Sequence, residues 1–467
     1  MRAVLHTLLR SFSLGTGVIT VLALASALTL LARPVRTRPG LDMWIFSPEH
    51  EQLYAPVIEA REHTDEPDVN VSVIGIPALQ RRMMSGFFAG LATSDLIEVE
   101  RQMAGQAFTG PLDSVGFLDL TDRLRDEGLL DKINAPSFGP WTSRGRIFGL
   151  PHDVHPVLLG YRADIVEAAG IDVSTIETWD DFYRVMRPLM TDEDGDAQPD
   201  RYPFALWETD GDRLETLLYQ AGGSFFDEND RPRMDTDLNA RVLAEMISWC
   251  VGPDRVAADV PDFTAAGNKL KLDGYAIAYL MPDWMCNIWR LQLPQLAGKV
   301  KVMPLPAWEP GGKRTSVWGG TMIGIPKTSE RVEDAWKLAK DLYLSEEIAR
   351  KLYTLNDIVT PIKTYWGDPM FDEPDEYFSG QAKGRMYVDM APLIPHRSSS
   401  PYAKLALDRF RDAAVALAEW ARATHTYEPE AMLSKCHEEL ARAEGAVRRQ
   451  MDRNVFLASD ESGGDEE

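Results

Sequence analysis

Apolar positions along the chain fall into three regimes. In the first, from Ser11 to Ala32, no residue is charged, and the run Val18-Ile19-Thr20-Val21-Leu22-Ala23-Leu24-Ala25 continues through Leu30-Leu31 between Arg10 and Arg33. These 22 residues exceed the roughly 7–15 of a signal-peptide core and are enough to span a bilayer as one helix. Arg2 and Arg10 supply a basic leader, and Ala25-Ser26-Ala27 offers the small residues that signal peptidase accepts. The expectation is an exported chain with residues 11–32 as a membrane anchor, cleavage being the alternative. Arg33, Arg36 and Arg38 follow the segment, so basic residues on both sides leave its orientation open.

Beyond a Pro/Arg-rich spacer the pattern alternates between short apolar runs and helical periodicity. Leu41–Phe46, Asn70–Ile76 and Asp95–Val99 read as strands, with Glu49–His63 and Ala78–Leu91 as the helices between them. Tyr202–Trp207 and Tyr275–Leu280 are also strand-like, and Thr178–Leu189 and Leu238–Cys250 are helical. Strands alternating with helices predict parallel sheets with helices on their faces. The third regime is helical: Val332–Leu344, Glu346–Tyr353, Tyr402–Thr424 and Glu428–Met451, followed by an acidic tail without apolar residues from Ser459 to Glu467, expected to be disordered. No internal repeat is visible.

Composition narrows the function. A chain of 467 residues with 45% apolar content has material for two cores. Its net charge of −23 is the wrong sign for a nucleic-acid partner. The cysteines, Cys250, Cys286 and Cys436, are odd in number and far apart, so neither a disulfide framework nor structural zinc is expected.

Three ordered stretches carry a family resemblance. Gly149-Leu150-Pro151 leads into His152-Asp153-Val154-His155-Pro156 and Tyr161-Arg162-Ala163-Asp164, then Glu167-Ala168-Ala169-Gly170-Ile171 and Thr178-Trp179-Asp180-Asp181-Phe182. Phe263–Leu270 precedes Asp273-Gly274-Tyr275-Ala276-Ile277, and Pro304-Leu305-Pro306 precedes Gly311–Gly320, Ile325–Ser329 and Ala335-Trp336. Together these resemble the extracellular solute-binding proteins that include maltose-binding protein. The pattern departs from the family at Met281-Pro282-Asp283-Trp284 and in having no lipid-anchor cysteine after the apolar segment.

The resemblance implies an α/β, two-lobed periplasmic-binding-protein fold of the type II kind, with crossing hinge strands and a helical C-terminal region. On that reading residues 1–40 are signal or anchor plus spacer, 41–154 begin the first lobe, and 155–275 begin the second. Residues 276–318 return to the first lobe, 319–455 complete the second with the C-terminal helices, and 456–467 are the tail. Crossings fall near Val154–Leu159, Ala276–Met281 and Trp318–Ile325. The implied function is capture of a sugar or oligosaccharide between closing lobes and delivery to an ABC-type permease, in the periplasm or on the outer face of the cytoplasmic membrane. A monomer is expected.

A sugar presents flat C–H faces edged with hydroxyls, so its site needs aromatic rings and paired polar acceptors. Asp283 and Trp284 supply an acceptor beside a stacking surface, the alternative for Trp284 being core packing. Trp318, Gly319 and Gly320 fall at a crossing, where glycines permit close approach or serve as a hinge. Asp153 is read as a hydroxyl acceptor or a hinge ion-pair partner; His152 and His155, three apart on an extended segment, point to opposite faces and make a poor metal pair. Phe46, Glu49, Glu98, Glu100, Trp207 and Gly223 lie at or beyond the ends of strands or turns, where ligands of open α/β sheets bind. Asp192, Asp194, Asp196 and Asp200 space carboxylates as a loose calcium loop does, although Ala197 and the lack of a closing glutamate exclude an EF-hand; a solvated turn is the alternative. No other cofactor is called for. The chain shows no GxSxG, HExxH or P-loop and no matched acid/base pair, so a binding protein is expected rather than a carbohydrate-active enzyme. A ligand-sensing receptor that signals to a membrane partner is the second reading.

Overall fold

The computed structural model describes residues 14–32, 40–61, 64–192, 194–196, 198–398 and 400–454. It divides into two compact units, Met1–Gly40 and Leu41–Glu467. The first contains the helix Leu14–Ala32; among the described residues no helix is long and apolar enough to cross a membrane. The basic leader, the spacer 33–39 and the acidic tail 456–467 lie outside the described residues.

The second unit is built on two main sheets. One has the strand order Val69–Val73, Leu41–Ile45, Leu96–Glu100, Thr321–Gly324, Leu150–Pro151. Its first three strands are parallel, and Thr321–Gly324 runs antiparallel to both neighbours. In Leu41–Ile45 the side chains of Leu41, Met43 and Ile45 are buried while Asp42 and Trp44 are half-buried, the alternation of a strand with one face on a core. The other sheet has the order Val300–Met303, Pro156–Arg162, Ala276–Pro282, Tyr202–Ala205, Ala257–Ala258, with Ser316–Val317 pairing onto the start of Pro156–Arg162. Every residue of Pro156–Arg162 and Ala276–Pro282 is buried, which is why both read as unbroken apolar runs: helices cover the sheet on both sides.

The lobes differ from the sequence expectation in two respects: residues 276–317 belong to the second lobe, and residues 321–356, expected to complete the second, belong to the first. Residues 276–318 were expected to return to the first lobe, yet Ala276–Pro282 and Val300–Met303 both hydrogen-bond to Pro156–Arg162 in the second sheet. The return comes only after Val317, with Thr321–Gly324 and the helices Val332–Tyr343 and Glu346–Asn356 completing the first lobe. A last crossing near Ile358–Trp366, not anticipated, carries the chain back to the second lobe. There Ala403–Thr424 and Pro429–Met451 pack on one another and on Asp237–Cys250. Cys250, Cys286 and Cys436 are free thiols in the core.

Local signals set the element boundaries. Thr178 caps Trp179–Met186: its hydroxyl accepts from the Asp181 amide and the Asp181 carboxylate accepts from the Thr178 amide, a complete capping box. Trp179 and Phe182 then enter the second core. Thr178→Ala should lower stability by about 1 kcal/mol, seen as a lower urea midpoint with an unchanged denaturant slope.

Candidate functional site

A cleft of about 460 Å³ opens between the two sheets, within the range of small-molecule sites. Its first-lobe wall comes from residues just beyond parallel strands. Phe46 and Glu49 follow Leu41–Ile45, and Glu100 ends Leu96–Glu100 where Arg101 and Gln102 open the helix Arg101–Ala107. From the second lobe come Trp284, in the first turn of Asp283–Gln292, with Phe263 and Asp212. The floor is formed by the crossing segments, through Asp153, His155, Trp318, Gly319 and Gly320.

The glycine pair is required by both conformation and space. Gly319 and Gly320 have φ of 108° and 138°, a region closed to side-chain-bearing residues. A Cβ on Gly319 would meet the His155 ring at 2.7 Å and the Trp284 indole nitrogen at 3.0 Å. That approach lets Trp284 Nε1 donate to the Trp318 carbonyl at 2.9 Å, fixing the indole with Trp318 edge-on to it, ring centroids 5.7 Å apart.

Under this floor lies a buried ionic cluster. His155 Nδ1 donates to Asp283 Oδ1 at 2.7 Å, and its Nε2 is 3.0 Å from Asp153 Oδ2. The other Asp283 oxygen accepts the Val359 amide at 2.8 Å. Burial alone would lower the His155 pKa, but Asp153 and Asp283 outweigh it and push the ring up to about 10. Burial likewise acts to raise the Asp153 carboxyl, and His155 holds it well below the usual carboxylate range.

A second polar group spans the lobes beside the cleft. Arg101 pairs with Glu215 at 2.5 Å and Asp212 at 3.4 Å, and Gln102 Nε2 donates to Asp212 at 3.1 Å, all from the first lobe to the helix Gly211–Gln220 of the second. Glu100 accepts the Gln102 amide as N-cap, and burial, only partly offset by Arg101, pushes its carboxyl up to about 7. Across the first lobe, His50 lines the cleft with Nδ1 2.6 Å from Glu98, which also accepts from Tyr54 and Tyr343.

The family model for the bacterial extracellular solute-binding protein matches residues 47–348, well over half of the chain. The chain belongs to that family. Arabinooligosaccharide-binding proteins of Halalkalibacterium halodurans and Bacillus subtilis are each 24% identical to it, the first over 79% of this chain and 82% of its own length, the second over 72% and 76%. The sugar-binding protein MalE of Xanthomonas citri superposes with a TM-score of 0.69 at 16% identity, covering 88% of this chain and 99% of that one, so the fold is shared.

Among solute-binding proteins the cleft between lobes is where a ligand would sit, and the residues singled out from sequence divide around it. Phe46, Glu49, Glu100, Asp153, Trp284, Trp318, Gly319 and Gly320 line it together. Four do not. Glu98 is fully buried behind His50, and Asp283 is fully buried with both oxygens committed to the cluster, so neither can accept a ligand hydroxyl. Trp207 packs on the second core between Arg255 and Arg422, each about 5.5 Å from its ring. Gly223 is enclosed, with Asn239 and Leu218 atoms 2.6 Å from where a Cβ would stand. His152 and His155 do not diverge as on a regular strand: His155 has φ of 56°, and both rings flank Asp153, with His152 Nδ1 at 3.4 Å.

Away from the cleft, Asp192, Asp194 and Asp200 bring exposed carboxylates within 4.8 Å of one another. Asp196 is not among them; its Oδ1 accepts the Gln198 amide. Sequence reasoning passed over Arg101, Gln102, Asp212 and Phe263, which reach the cleft only through helix starts and a loop. The acidic first turn and N-cap Asp210 of Gly211–Gln220 were the one available signal for Asp212.

His155 binds its proton more tightly folded than unfolded. Its stabilising contribution is therefore complete below the ordinary value of 6.5 and is lost as the pH rises through about 10. Tm should fall between about pH 7 and pH 9 with a steeper slope in the wild type than in His155→Gln; equal slopes would contradict this protonation state.

Proposed function

We propose that this chain is the exported binding component of an ABC-type sugar importer, closing its lobes around a neutral oligosaccharide. The observation that carries the reading is the cleft's pairing of aromatic faces, Phe46, Phe263, Trp284 and Trp318, with polar side chains from both lobes and the crossings. Rings stack on C–H faces while carboxylates and amides take up hydroxyls. Glu49, Glu100, Asp153 and Asp212 supply acceptors, and Arg101 and Gln102 supply donors. The arabinooligosaccharide-binding relatives support a saccharide and put arabinose oligomers first among ligands to try.

Ligand that touches both lobes favours the closed form by its differential affinity, and closure is what a permease would read. The segment 11–32 serves as export signal or anchor in this reading, and the protein works outside the cytoplasm as a monomer. The sensing alternative uses the same cleft and differs only in the membrane partner.

Arabinotriose added in excess should raise Tm, since ligand binding the folded state alone stabilises it. Trp284→Ala should weaken binding at least about tenfold, the loss of one stacked ring, as read by titration calorimetry. A shift produced by another solute class and by no saccharide would refute the sugar assignment.

A further inference from the structure

Phe88 is the most exposed large apolar side chain among the described residues, at 79%, and belongs to none of the hydrophobic cores. With Met84, one turn earlier on the helix Ile76–Ala89, it forms one wall of a groove of about 590 Å³. The opposite wall is Tyr402 and Leu405, at the start of Ala403–Thr424, with Ala446 of Pro429–Met451. Met84 packs on the first-lobe core and Tyr402 and Leu405 on the second, so the groove straddles the lobes. It is also joined to the cleft: the helix Arg101–Ala107 puts Arg101 and Gln102 in the cleft and Gln106 in the groove. The described chain ends at the rim of this groove. After Pro429–Met451 the Asn454 amide donates to the Met451 carbonyl, and Asn454 Nδ2 donates to the Thr109 carbonyl at 2.8 Å and to Tyr402 Oη at 3.0 Å. Thr109 and Tyr402 both line the groove, one from each lobe. The residues that follow are Val455-Phe456-Leu457-Ala458, the last apolar run before the acidic stretch Ser459–Glu467.

A large aromatic left in water on the wall of a groove marks a surface that something covers. We propose that Val455-Phe456-Leu457 folds back into this groove as a strap across the two lobes, with Phe456 covering Phe88 and Met84. Reach is sufficient: three extended residues span about 10 Å, and the helix rises by about 6 Å from Met84 to Phe88. The strap removes apolar surface of both partners from water and sets one phenyl ring against another. Charge fits as well. Arg81 lies on the same helical stripe as Met84 and Phe88, the helix Ile76–Ala89 has no acidic residue, and Asp460 and Glu461 follow the apolar run. Since the two walls belong to different lobes, the strap favours the lobe arrangement in which it reaches both, and separating the lobes pulls it from one of them.

Hydrogen exchange read by mass spectrometry on the full chain tests this. Amides of residues 456–458 should be protected at least about tenfold relative to an unstructured chain. Phe88→Ser, a change at an exposed position, should abolish that protection and leave exchange in the core strand Pro156–Arg162 unaltered. In a thermal double-mutant cycle Phe88→Ser and Phe456→Ser should each lower Tm by about 1–2 °C, and the double variant should lower it no further than either alone. Free exchange at 456–458 in the wild type, protection that survives Phe88→Ser, or additive losses in Tm overturn the strap. Protection that grows with protein concentration, together with a dimer in sedimentation, gives the groove to a second copy of the chain and overturns it too.

Discussion

A buried histidine between two carboxylates sits where the chain changes lobes. His155 is on the first crossing, Asp283 starts the helix that follows the long strand Ala276–Pro282, and Val359, whose amide Asp283 accepts, is on the last. The second crossing joins through the backbone, with the Trp318 amide donating to the His155 carbonyl at 3.3 Å and the Thr321 amide to Asp153 at 3.4 Å. Charges so buried rarely add net stability compared with apolar side chains of the same size, but losing one partner leaves the others desolvated and unpaired. The cluster therefore fixes register: it holds the crossings at one spacing between the lobes.

That fixed floor governs what the walls can do. Arg101 with Glu215 and Asp212 makes a bond between lobes that any opening must break, and it lies partly shielded from water, where such pairs interact more strongly than on the surface. The ligand's contribution to closure adds to an equilibrium that this pair already biases. A neutral, hydroxyl-rich ligand suits the arrangement, since it can hydrogen-bond to the charged rim without dismantling it. A strongly charged one would compete with Arg101 or with the carboxylates for their existing partners.

Much of the architecture was legible because it is written locally. Apolar runs, the Thr178 capping box and the glycine pair each determine structure within a few residues, and the family resemblance ordered them. Lobe membership of 276–318 was not, because an all-buried strand reads the same in either sheet; only pairing with Pro156–Arg162, more than a hundred residues earlier, assigns it. The site followed the same division. The crossing residues named from position line the cleft, whereas Glu98 and Asp283 lie behind it: a pattern of residue types does not say whether a carboxylate meets solvent or a buried histidine.

Asp283 and Trp284 show how one residue step separates support from contact. The strand Ala276–Pro282 delivers both to the start of a helix, where successive side chains diverge by about 100°. Asp283 turns inward to His155, and its Oδ1 also accepts the Trp284 amide at 2.8 Å. Trp284 turns outward, its indole nitrogen held by the Trp318 carbonyl. With the edge of the indole bonded and its backbone tied to the ionic cluster, the ring loses little freedom when something stacks on its face. The charge network and the aromatic wall are thus one device: the first spends its polarity on holding the second still.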